Sequence, residues 1–565
     1  MLSDAATLPE CDLVMKGGIT SGVVYPGIVL ELAGKYRFRS IGGTSAGAIA
    51  AAICAAAEYG RQTGSGGGMP ELEEAVEDLK QDKFLLSLFQ PTRKARPLFD
   101  AALAAATSTG PKLTRFRELA ITATQGRPAV GIVGIVLGAG LVLLQVAAFR
   151  GFSLPLALLL LLVSVPLFGA VLIGSGLVSI ALLLRSTYRS LGSSHFGVCP
   201  GMRQEGYEDE ALVEWLNRRI QACAGLPESG APLTVKQLAE QGIELRMMTT
   251  DLSFARPIVM PGGLAEYMFS AAEMRTRFPE QVVKKMLGDQ PDDLYALMPT
   301  DELPVVVAAR LSLSFPGLLS AMPLYLADPD TGPDALPHLF SDGGIASNFP
   351  LQFFDSWFPG RPTFGIDLAD HPAAGEDVFM LTDPSLRFPP RWKGVTSVGG
   401  FAGQIKDTMQ NWRDSMQMQL PGYRDRVCQV RLHPGEGGLH IYMPPELIEG
   451  LIARGHKAGQ KILDTFDAAE WDRHRCVRYL VLMQMLQENL HKSQEPLADF
   501  SSRLLHGFPD FTYPRDAAWC ALGWAATAEL VEMSADWGAG GGAINFEGPP
   551  DTPVPKAVMR VVPNA

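Results

Sequence analysis

The chain has 565 residues, a net charge of −12 and a pI near 5.4, a balance that argues against a nucleic-acid binder, which needs clustered basic surface. This length exceeds what one small core requires, so two or more structural units are expected. Hydrophobic residues make up 47% and charged residues only 19%, giving a mean hydropathy of +0.11, and that excess must be concentrated somewhere along the chain. In chain order, Asp12 to Met15 reads as a short apolar strand ending in Lys16-Gly17-Gly18. Val23 to Ala33 reads as a helix with Pro26 in its first turn, Phe38 to Ile41 as a second strand, and Ala46 to Tyr59 as an alanine-rich helix. Two strands joined by a helix within about thirty residues form a βαβ unit and imply a parallel sheet. The N-terminus carries no basic residue ahead of Leu13, so no signal peptide is expected.

The apolar excess lies in residues 128–185. From Pro128 to Leu184 the only charged residue is Arg150, and the runs on either side of it are long enough to cross a bilayer. Two transmembrane helices joined by a tight turn are expected, the second, longer than one span, either tilted, kinked at Pro166 or emerging at one end. Lys112, Arg115, Arg117 and Arg127 precede this hairpin, and Arg185 and Arg189 follow it, so both flanking parts are expected to face the cytoplasm. Its glycines, Gly131, Gly134, Gly138 and Gly140, could pack against a second copy, a route to a homo-oligomer.

Beyond the hairpin, Glu208 to Ala224 is expected to be helical, and the alternation of Ile243, Leu245 and Met247 predicts a strand running into Thr249-Thr250-Asp251, with Pro257 to Met260 beside it. Leu339-Phe340 leads as a strand into Ser341-Asp342, and Thr363 to Leu368 is another strand. Pro445 to Ala468 and a further region near Glu470 to Glu532 read as helical, and the Gly- and Pro-rich tail from 538 reads as disordered. The expected units are therefore 1–127, the hairpin 128–185, 186–469, a helical region 470–537 and a tail 538–565. Seven scattered cysteines without a CxxC pair fit neither a disulfide framework nor a zinc motif, and suit a reducing compartment.

Three local patterns carry chemistry. Gly43-Thr44-Ser45-Ala46-Gly47 fits G-x-S-x-G, directly after a predicted strand and at the start of a helix. A serine on so tight a turn needs unbulky neighbours two positions away on each side, and its hydroxyl then stands at the positive end of the following helix. Gly17-Gly18-Ile19-Thr20-Ser21-Gly22 follows the first strand, and closely spaced glycines can turn backbone N–H groups toward a developing oxyanion. Asp342, followed by Gly343 and Gly344, sits at a strand end and could take a proton from Ser45. The nine histidines show no metal spacing; His338 is the one near Asp342 in sequence, and Asp367 and Asp370 are alternative carboxylates at another strand end.

Together these patterns resemble the patatin-like phospholipase family. Gly17 to Gly22, with Gly27 five residues on, is similar to the family's G-G-G-x-R-G loop; Gly43 to Gly47 matches its serine motif; Asp342-Gly343-Gly344 with Asn348 to Pro350 matches its aspartate motif. Met248 to Leu252 and Arg310 to Pro316 are softer similarities. The resemblance covers about Asp12 to Leu368 apart from the hairpin. It implies a three-layer α/β/α hydrolase with a central, mainly parallel sheet, here interrupted by the hairpin. It also implies a Ser45–Asp342 dyad without cofactor or metal, and oxyanion donors from the backbone near Gly17, Gly18 and Ile19. The sequence departs from the motif at Ile19, which replaces the third glycine, and at Ser21, which replaces the arginine; Lys16 is a neighbouring cation that could supply the missing charge. A serine hydroxyl needs a base, and a carboxylate can act as one when burial raises its pKa. The expected function is a membrane-anchored lipid acyl hydrolase of the phospholipase A or lysophospholipase type, acting on bilayer lipid. The competing readings are an impaired patatin-fold scaffold or lipid-binding protein, and an effector whose C-terminal part, from about Trp471, senses a regulator.

Overall fold

Alternation along the first strand decides which face of the sheet becomes the main core. In the computed structural model Cys11, Leu13 and Met15 point into one large apolar cluster, while Val14 points the other way, into a smaller cluster with Phe349, Leu351, Leu381, Met418 and Val427. The structure describes residues 8–18, 20–107, 191–292, 295–328, 332–333, 336–372, 375–381, 394–438, 440–506 and 517–538, with scattered positions between 132 and 185.

The strands are β1 (Glu10–Met15), β2 (Arg37–Gly43), β3 (Gly197–Cys199), β4 (Glu244–Asp251), β5 (Arg256–Met260), β6 (Tyr267–Ser270), β7 (Tyr295–Leu297), β8 (Gly317–Leu319), β9 (Met322–Asp328), β10 (Gly332–Pro333), β11 (His338–Asp342), β12 (Thr363–Asp370), β13 (Val378–Met380) and β14 (Val427–Leu432). Twelve of them form one sheet in the order β13-β14-β12-β1-β2-β4-β11-β9-β6-β7, with β5 on β4 and β10 on β9; β3 and β8 pair separately. The run β14-β12-β1-β2-β4 is parallel. From β4 onward through β11, β9, β6 and β7 every pairing is antiparallel, as is β13 with β14. The sheet is therefore mixed, and the mainly parallel sheet expected from the sequence holds only for its central half.

The βαβ unit read from the sequence is present. A 3-10 turn (Ser21–Val24) runs into α1 (Tyr25–Ala33), and α2 (Ala46–Thr63) follows β2. Alanines at 48, 51, 52 and 55 let α2 lie close on the sheet, and Gly64 in the left-handed region ends it. α3 (Leu212–Ala224), α4 (Val305–Ser312) and α6 (Pro445–Thr465) contribute Trp215, Val307 and Leu451 to the same cluster. The smaller cluster on the opposite face includes Leu351, from the 3-10 turn Leu351–Phe354, and Met418, at the end of α5 (Val398–Gln417).

The helical region expected over 470–537 is two helices, α7 (Ala468–His506) and α8 (Ala517–Gly538). α7 is fastened at its start, where Arg478 pairs with Asp355 at 3.1 Å and His474 bonds to Asp425. α8 folds back along α7, so that Gln487 donates to the Trp537 carbonyl at 3.3 Å. The tail from 539 lies outside the described residues, as does most of the hairpin expected over 128–185. Among the described residues no helix is long and apolar enough to cross a membrane.

Candidate active site

Ser45 sits between β2 and α2 with φ 55° and ψ −128°, a backbone conformation costly for any residue bearing a Cβ. Only a crowded turn holds it there. A Cβ at Gly43 would lie 2.6 Å from the Gly47 carbonyl oxygen, and one at Gly47 would lie 2.3 Å from that of Met15. Both outer glycines of G-x-S-x-G are thus required by close backbone approach.

The turn is riveted from a distant part of the chain. The Ser45 N–H donates to Ser312 Oγ (3.1 Å), and that hydroxyl donates to the Met248 carbonyl (2.6 Å). The Asp342 N–H donates to the Ser314 carbonyl (3.0 Å). Arg310, fully buried, donates to Ser314 Oγ (2.7 Å) and to the carbonyls of Ser320 (2.9 Å) and Pro200 (3.1 Å), holding the segment in shape. The softer Arg310–Pro316 similarity therefore has a physical role. It fixes the backbones of Ser45 and Asp342 to one short segment at the end of α4. The sequence marked this segment but gave Ser312 and Ser314 no function.

Asp342 ends β11 and is buried. Its Oδ1 accepts the Gly344 N–H at 2.8 Å, whereas Oδ2 is buried without a hydrogen-bond partner. Burial pushes the carboxyl up to about 7, against a restraining influence from the Ser45 hydroxyl and the Gly344 N–H. Asp342 and Ser45 are thus neighbours, nearly three hundred positions apart in sequence. The Ser45 hydroxyl has one proton, and here it donates it to the Gly18 carbonyl at 2.9 Å rather than to Asp342.

The glycine-rich loop differs from the expected oxyanion arrangement. The Gly17 N–H is already engaged by the Asn348 carbonyl at 2.7 Å. Gly18 turns its carbonyl toward Ser45, and that oxygen also accepts the Ala46 N–H at 3.2 Å. Ile19 lies outside the described residues. Asn348, from the N-x-P part of the aspartate motif, clasps the loop by donating from its side chain to the Gly17 carbonyl (3.1 Å), while its own carbonyl accepts the Thr44 hydroxyl (3.0 Å).

Burial corrects the readings of Lys16, Asp367 and His338. Lys16 is not a spare cation beside the loop: its ammonium is buried against Asp367 Oδ1 (2.6 Å) and the Leu368 carbonyl (3.1 Å). Asp367 is for the same reason no alternative base, since Gln429 donates to its other oxygen at 2.9 Å. His338 lies at the start of β11 rather than on the rim, buried 3.1 Å from Asp251 and packed against Phe254 and Tyr267. Asp370 is the exposed last residue of β12.

Among the described residues one group of side chains has metal-ligand chemistry: His371, Asp377 and His433, whose ligand atoms lie within 4.8 Å of one another. The two imidazoles are stacked, with centroids 4.2 Å apart and planes 19° from parallel, so their in-plane lone pairs do not converge on a point. Arg454 Nε stands 3.7 Å from Asp377. In this geometry Asp377 is shared between the two imidazoles and the Arg454 guanidinium.

Comparison with known proteins places these features in context. Residues 13–121 match the family model described as Patatin-like phospholipase. The chain is also 32% identical to a protein of Rhizobium meliloti (strain 1021) described as "RpoH suppressor", over an alignment covering 84% of this chain and 85% of that protein.

Proposed function

The chain belongs to the patatin-like phospholipase family, and from that premise we propose that it is a serine lipid acyl hydrolase working through a Ser45–Asp342 dyad. The observation that carries this reading is the pairing of a serine on a strained elbow with a buried carboxylate that has one unpartnered oxygen and an affinity for protons near neutrality. A base with that affinity can take a hydroxyl proton and give it up again within one turnover.

Ser45 Oγ attacks the ester carbonyl carbon of a lipid as Asp342 accepts its proton. The tetrahedral intermediate collapses by breaking the bond to the alcohol, which leaves with the proton from Asp342. Water then attacks the acyl carbon with Asp342 again as base, and the second tetrahedral intermediate breaks the bond to Ser45 Oγ, which takes back the proton from Asp342 as the fatty acid leaves. The anionic oxygen of each intermediate needs donors. Turning the peptide after Gly18 would withdraw its carbonyl from Ser45 and Ala46. It would free the Ala46 N–H, the position that serves this role in nucleophile elbows, and bring the following N–H toward the same point.

The apolar composition of 128–185 supports a membrane anchor, with the hydrolase on the cytoplasmic side where the flanking basic residues lie. Under this reading the full-length protein sediments with membranes, and deletion of 128–184 releases it. A second reading, a patatin-fold scaffold that holds lipid without cleaving it, draws on the Gly18 carbonyl occupying the serine. Labelling with a fluorophosphonate separates the two. The parent is expected to label and to deplete an acyl lipid on mass spectrometry, and Ser45→Ala to do neither. An unlabelled parent would favour the scaffold.

A further inference from the structure

α5 has two faces with opposite employment. Its inner face is bonded to the loop that follows Asp342. Gln410 donates to the Gly344 carbonyl at 2.7 Å, and Asp414 accepts the Ser347 hydroxyl (2.8 Å) and the N–H groups of Asn348 (2.8 Å) and Phe349 (2.9 Å). Through Asn348 the contact reaches the glycine-rich loop. Its outer face carries Val398, Phe401, Ile405, Met409, Trp412 and Met416, spaced three and four apart and therefore on one stripe. All six are between 47% and 88% exposed.

Single exposed apolar residues are ordinary, but a continuous row of six along a helix of about 30 Å is not. Charge distribution indicates what covers it. Lys406 and Arg413, each one residue beyond a stripe position and seven apart, run along one edge of the row. The acidic side chains of the helix, Asp407 and Asp414, lie on the opposite side, and Asp414 is consumed by the catalytic loop. An apolar stripe with a tryptophan in it and cations at its rim suits the boundary between acyl chains and anionic headgroups.

We propose that α5 is an interfacial helix that lays its Val398–Met416 stripe on an anionic lipid surface and so holds the loop that follows Asp342 at that surface. The proposal rests on the reading of the chain as a lipid acyl hydrolase, but concerns a different element from the serine, the carboxylate or the segment 128–185. Because the helix is hydrogen-bonded to residues 344 and 347–349, a helix lying in the headgroup plane holds the site at the depth where ester bonds are found.

Two measurements on the full chain test it. In the first, Phe401→Ser, Ile405→Ser and Met409→Ser are combined, and turnover is compared on a water-soluble short-chain ester and on vesicles of phosphatidylglycerol and phosphatidylcholine. The ester rate is expected to stay within twofold of the parent and the vesicle rate to fall at least tenfold; equal vesicle rates overturn the proposal. In the second, the fluorescence of Ser45→Ala is quenched with brominated lipid in the same vesicles, with and without Trp412→Phe. A quenched component that disappears with Trp412→Phe supports the proposal. An unquenched Trp412 overturns it, as does a dimer that buries the stripe and dissociates in the triple variant. A parent inactive on both substrates defeats the hydrolase reading, and the quenching result then still decides the fate of the surface.

Discussion

Two strands, β12 and β11, each carry a buried aspartate near the glycine-rich loop, and the two have different fates. On the β12 side Asp367 is neutralised by Lys16 and capped by Gln429. On the β11 side Asp342 keeps one oxygen bare, and its carboxyl is pushed up to about 7 by burial without a cation to offset it. A carboxylate taken out of water must be paired, hydrogen-bonded or protonated. The first solution makes a structural strut. The second makes a group that exchanges a proton near neutral pH, which is what a base must do. The residue type is the same, and the neighbours decide which role it takes.

The sharpest way to break this contrast is to remove each carboxylate in turn. Asp342→Asn is expected to lower turnover by about 10³-fold or more, measured as kcat/KM on any accepted ester, because Asp342 is the carboxylate beside the Ser45 hydroxyl. The same variant is expected to be more stable than the parent at pH 8. With a folded pKa near 7 against an ordinary 3.8, the folded chain holds between those values a proton that the unfolded chain has lost, and at pH 8 it has released that proton and buries an unpaired charge. Stability conferred by that protonated form is complete below about pH 4 and lost as pH rises through 7. The gain in melting temperature from Asp342→Asn should therefore shrink toward pH 4.

Asp367→Asn should do the converse. It strands the Lys16 ammonium in the interior and is expected to cost about 3–5 kcal/mol in denaturant unfolding, while folded molecules keep most of their activity. Pairing it with Lys16→Met should restore much of the loss. Activity lost in proportion for both aspartate variants at equal folding would erase the distinction between strut and base.

A smaller effect is the pH profile. kcat/KM should rise about tenfold per unit on the acid side and level off above about pH 7, as Asp342 ionises. A midpoint near 4 would mean that the base is a solvated carboxylate elsewhere. The smallest expected change is Ser312→Ala, which removes the side-chain acceptor for the Ser45 N–H. A loss of about 1 kcal/mol of stability is expected, with a fall in kcat larger than any change in KM, since the change affects the placement of the nucleophile.

The sequence alone determined the local elements around Ser45. Strand, tight turn and helix from Asp12 to Tyr59 are written in apolar runs, in glycines at 43 and 47, and in an alanine-rich helix, all of them short-range signals. Asp342 was legible in the same way, from a strand followed by two glycines. Ser312 and Ser314 were not, because their role is to accept or donate hydrogen bonds across the sheet, and one serine looks like another until the chain is folded. The three- and four-residue apolar spacing of α5 is present in the sequence, whereas its inner-face partners at 344 and 347–349 have no local signature. Burial decided what remained. The fold placed Lys16 and His338 inside, beside carboxylates. A side chain's solvent exposure and charge partner are set by residues hundreds of positions away, and only the tertiary structure brings them into contact.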